Sequence, residues 1–169
     1  MIADPQRRGR DLAELFGVLA PRLYSDILES GVLPHAGHDS DSVRARQEWE
    51  CFALYACVRG LVAAGGFNRE TAAAIEALHE QVLEAWKDAE SSEGIAARRA
   101  RISDRYSEYG AIGQEGGAKG AATVTQRLGE AAARHMVQSE SAPAELAELV
   151  GSLHESLAEG AAEAVREAR

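Results

Sequence analysis

Between Trp49 and Ala64 the chain carries apolar side chains around most of a helical circumference. Cys51, Leu54, Tyr55, Val58, Leu61 and Val62 form one face, while Trp49, Phe52, Ala53 and Ala56 cover much of another. A helix apolar over so wide an arc has to be enclosed by others. The pattern therefore predicts a helix over about 42–64 at the centre of a bundle, stopped by Gly65-Gly66.

The flanking segments supply the enclosing helices. Leu12, Phe16, Leu19, Leu23 and Ile27 recur every three or four residues and predict a first helix over about 11–30, interrupted near Pro21. Asn68 caps a third over about 69–90, with a seam through Thr71, Ile75, Leu78, Val82 and Trp86. A fourth is expected over about 92–109, with Ile95, Ile102, Tyr106 and Tyr109 on its apolar side. Residues 110–120 hold five glycines in eleven positions, which is loop composition. A fifth helix carries Val124, Leu128, Ala131, Ala132 and His135, and a sixth, opened by Pro143, carries Leu146, Leu149, Val150, Leu153, Leu157, Ala161 and Ala164. Alanine, the best helix former, supplies 33 of the 169 residues, and no stretch alternates with the period of a strand. The expected architecture is a single all-α domain, a bundle of five to six helices. Residues 1–10 are expected to form a flexible arm, and 141–169 a C-terminal helix packed on the bundle or on a second subunit.

Charge and chemistry narrow the function by exclusion. No uncharged run exceeds nine residues, far below the roughly 20 of a membrane-spanning helix. A net charge of −9 opposes extended contact with nucleic acid. Cys51 and Cys57 lie six residues apart on one helix, about 9 Å along its axis, too far to bridge. They read as small core hydrophobes of a protein in a reducing cytoplasm. No Gly-x-Ser-x-Gly is present, the glycine run lacks the Gly-Lys-Ser/Thr of a phosphate loop, and Glu76-x-x-His79 is a single copy of a motif that a di-metal bundle needs twice. His35, His38 and Asp39, with Asp41 nearby, are permissible metal ligands, but a loop gives them no fixed geometry and the aspartates already serve as helix-start residues. No metal or cofactor is expected, and the reading leans away from an enzyme.

The strongest remaining signal is the cluster Arg98, Arg99, Arg101 and Arg105. Arg98 and Arg105 fall on the same edge of the helix as Tyr109, and Arg99 beside Tyr106 on the other. With Tyr106, Tyr109 and Lys119 they form a candidate pocket for a small anion, since arginine forks receive carboxylate or phosphate. The competing expectation is a set of internal ion pairs with Glu48, Glu50 or Glu84. Function therefore reads first as a helical binding or interaction protein that self-associates. A small anionic-ligand sensor or enzyme at the arginine stripe is the second reading. The third is an acidic inhibitor of a basic protein, acting through 139–169, where seven Glu face two Arg. The expected partners are accordingly a second copy of the chain or another protein, not nucleic acid or a membrane.

Overall fold

The computed structural model describes residues 2–34, 39–87, 93–116 and 120–167. They form six helices: α1 (Pro5–Glu29), α2 (Asp39–Gly65), α3 (Arg69–Lys87), α4 (Ile95–Gly116), α5 (Ala121–Val137) and α6 (Ala144–Glu167). There is no strand among the described residues. No described helix is long and apolar enough to cross a membrane.

The second helix lies at the centre, in contact with all five others. Trp49, Phe52, Ala53, Leu54, Ala56, Cys57 and Leu61 are fully enclosed. Around it the most extensive packing joins α1 to α3, α2 to α6 and α5 to α6. Each of these contacts is centred on glycine. A methyl group on Gly9 would lie 2.3 Å from the Ala74 carbonyl of α3, one on Gly60 2.6 Å from Ala161 Cβ of α6, and one on Gly129 2.3 Å from the Ala147 carbonyl of α6. The absent side chains let backbones approach within the radius of a Cβ.

Two boundaries, and the buried face of the sixth helix, differ from the sequence expectation. Residues 2–10, expected within a flexible arm spanning 1–10, do not form a free arm. Asp4 accepts a hydrogen bond from the Arg7 amide, Pro5 opens α1, and Ile2 is buried beside Gly65. A helix cap followed by a first-turn proline fixes this end. The glycine-rich segment is helical as far as Gly116, because Tyr109, Ile112 and Gly116 continue the buried face of α4 and Gly116 seats against Val124 of α5. Tertiary packing outweighs the roughly 1 kcal/mol that a glycine costs in a helix. The sixth helix packs on α2 and α5 of its own chain. Its buried face includes Ala147, Gly151, His154 and Ala158, whereas Leu149 and Leu153 are half-buried and Ala164 is exposed.

Pro21 stands within a continuous α1. Proline has no N–H to give the Gly17 carbonyl, and the ladder is reinforced next to it by the Trp49 indole, which donates to the Ala20 carbonyl at 2.9 Å. The central helix thus anchors the weakest turn of the first.

Candidate functional site

Arg98, Arg101 and Arg105 recur at three- and four-residue spacing, so α4 presents them along one side, and that side faces α2. Opposite them stands Glu48, whose side chain is only 1% exposed. Arg105 grips it with a fork, Nε donating to Oε2 at 2.8 Å and Nη2 to Oε1 at 2.9 Å. Arg101 approaches Oε1 at 3.4 Å and Arg44, one turn before Glu48, donates to the same oxygen at 3.2 Å. Burial alone would raise the Glu48 pKa. The Arg105 hydrogen bonds and the charges of Arg105 and Arg101 outweigh it and hold the carboxyl below its ordinary range.

Glu93, just before α4, completes the arrangement. It takes two hydrogen bonds from Arg101 and lies 3.9 Å from Arg98. Arg98 is buried at the end of α3, its guanidinium 5.1 Å over the Trp86 ring and one nitrogen 3.4 Å from the Trp86 carbonyl. A cation there meets both an aromatic face and the negative end of a helix. The expected ion pair with Glu48 is present, whereas Glu84 pairs with Lys87 and Glu50 with Arg46. Arg99 is exposed at the surface and not at a core edge.

Tyr109 lies near enough to Arg105 for their charges to interact, whereas Tyr106 turns toward α3. Tyr106 hydroxyl and His79 Nε2 lie 2.9 Å apart. Burial, with Arg99 adding to it, lowers the His79 pKa to about 4, so the ring is neutral at physiological pH. Glu76 is exposed, on another face of α3. Tyr109 is enclosed by Phe52 and Tyr55, and its hydroxyl has no hydrogen-bond partner among the described residues. The cavity bordered by Arg98, Arg101, Trp86 and Glu93 measures about 10 Å³, scarcely one water. The forks are occupied by carboxylates of the same chain. Lys119, His35 and His38 lie outside the described residues, as does the side chain of Asp39. Among the described residues no cluster of His, Cys, Asp and Glu is arranged to hold a metal.

One polar core residue escaped the sequence reading. His154 of α6 is fully buried, stacked on Phe52 at 4.0 Å, with Nδ1 3.0 Å from the Phe52 carbonyl. Nδ1 therefore carries the proton and donates. Burial chiefly, with the Arg59 charge, lowers the pKa to about 3. The residues before and after it, Leu153 and Glu155, gave no hint that the apolar stripe turns toward 154.

A groove of about 900 Å³ runs along α5 and α6. Its base is set by the close Gly129–Gly151 crossing, and Ala147, Ser152 and Ser156 keep it wide. Glu130, Glu140, Glu148, Glu155 and Glu159 line it against a single lining cation, Arg134. Among the described residues Glu155 is paired with Arg59 at 2.9 Å and accepts from the Thr125 hydroxyl at 3.1 Å, and Glu130 accepts from the Gln126 amide at 3.0 Å. No family model, curated protein or solved structure matches this chain.

Proposed function

We propose that this chain is a helical binding protein of the reducing cytoplasm whose α5–α6 groove receives a cationic segment of another protein. The observation that carries the reading is the mismatch of charge in that groove, five carboxylates to one guanidinium over small side chains. Small residues at the base leave room for the long stems of lysine and arginine, and the carboxylates would meet their heads. Self-association through the same groove is disfavoured, because a second copy brings net charge −9 and the same carboxylates. Dimerisation would need a different surface. The free cysteines agree with a reducing compartment: burial pushes both thiols up to about 12, which makes them inert.

The test is titration of the chain with an arginine- and lysine-rich helical peptide at increasing salt, alongside Glu148→Lys and Glu159→Lys variants. Both glutamates are exposed, so the substitutions leave the core untouched. The reading predicts binding that weakens steeply with salt and roughly tenfold or more on charge reversal, by a monomeric protein. Binding indifferent to both salt and charge reversal contradicts it. A dimer whose mass is unchanged by salt would favour apolar self-association.

A further inference from the structure

A second concavity lies between α1 and α3, and it owes its existence to two residues that are unusual inside a helix. At Gly17 the first helix has no side chain, and a Cβ built there meets nothing within 4 Å. Four residues on, Pro21 withholds the N–H that the Gly17 carbonyl would otherwise accept. Together they leave a cavity of about 400 Å³ against Phe16 of α1 and Val82 and Trp86 of α3. That is within the size range of small-molecule sites, which are apolar with a few placed polar groups.

The polar lining is acidic at Glu14 and Glu50 and neutral at Gln81. α2 contributes Glu50, a largely buried carboxylate that accepts no hydrogen bond among the described residues and whose one ion pair there is with Arg46 at 3.7 Å. Gly17, whose carbonyl has no N–H from Pro21, is a lining residue, and Glu14 stands among the exposed ones. No cationic side chain lines the cavity. Burial raises the Glu50 pKa against the charges of Arg46, Arg98 and Arg101. A carboxylate with no lining cation, beside the Gln81 amide and aromatic and aliphatic walls, fits a ligand with a positive charge at one end and hydrocarbon at the other.

We propose that this cavity binds a small hydrophobic ammonium, its charged nitrogen between Glu50 and the Gly17 carbonyl and its apolar body against Phe16, Val82 and Trp86. A neutral alcohol would offer one donor and no charge to Glu50. A carboxylate would be repelled by it. The site lies between different helices from the acidic groove and stands independently of that reading.

Calorimetric titration with phenethylammonium, its alcohol analogue and its carboxylate analogue tests the assignment. Saturable binding of the amine is expected, with the other two at least about tenfold weaker. Glu50→Gln, which keeps the shape and removes the charge, should weaken amine binding about tenfold. Gly17→Leu should abolish it by filling the cavity, without lowering the unfolding temperature, because the added side chain enters open space and glycine is a poor helix former. No saturable heat for the amine overturns the proposal. So does equal affinity for the alcohol, or undiminished binding by Gly17→Leu.

Discussion

Glu48 shows why a charged residue in an apolar helix need not mark a ligand site. Three arginines, Arg44, Arg101 and Arg105, converge on its carboxylate, and a buried charge held this way is costly to orphan. Arg105→Ala is expected to lower unfolding stability by about 3 kcal/mol and to leave any effect of phosphate on melting unchanged. An anion-binding role would produce the opposite pattern, with near-normal stability and loss of anion-dependent stabilisation. The buried histidines add a pH dependence whose sign is fixed. His79 and His154 have pKa values of about 4 and about 3 in the folded chain, against 6.5 when exposed. Above pH 6.5 neither state binds the proton and stability is full. Below it the unfolded chain takes up protons that the folded chain refuses, so each histidine costs roughly 1.4 kcal/mol per pH unit until its folded pKa is passed. His154→Phe, which preserves the stack on Phe52, should flatten part of that acid loss in urea titrations. The arginine cluster was legible in the sequence as charges needing partners. Which carboxylate would meet them depended on the rotation of α4 against α2, and helical spacing within one element does not encode that.

At the scale of elements, the same residue type acts in opposite ways. Gly9, Gly60 and Gly129 sit at helix crossings where a methyl group would collide with backbone or Cβ atoms, whereas Gly110 and Gly113 face open space. Gly129→Ala should therefore destabilise by about 1–3 kcal/mol through overpacking, and Gly113→Ala should stabilise by roughly 0.5–1 kcal/mol through helix propensity. Thermal melts of the two variants, side by side, check this; equal shifts of the same sign would refute it. Helix existence and type were readable because apolar periodicity is strong in α1, α3, α5 and α6, and α2 is a long apolar run without strand alternation. The ends were not. The run from Gly110 has the composition of a loop, and burial of Ile112 and Gly116, the latter against Val124, explains why it stays helical to Gly116. Likewise Gly9 has no meaning until Ala74 of α3 is placed against it.

For the whole molecule, the bundle is organised from the inside. Every outer helix touches α2, and α2 supplies the Trp49 bond that steadies α1, the Glu48 carboxylate that fixes α4, and the Phe52 carbonyl that receives His154 of α6. That centrality was the most legible property of the sequence, because a helix apolar around most of its girth has nowhere else to go. The proposed binding surfaces were less so. The acidic character of the last helix could be read, but the groove beside it arises from the Gly129–Gly151 approach, and the α1–α3 cavity from the join of Gly17 and Pro21 with a distant Glu50. Native-state hydrogen exchange is the most direct measure of the arrangement. The amides of Phe52 through Leu61 should exchange only through global unfolding, with protection equal to the full unfolding free energy and above that of the first turns of α4. Exchange of those amides through local opening, at a free energy well below the global value, would contradict a bundle built around α2.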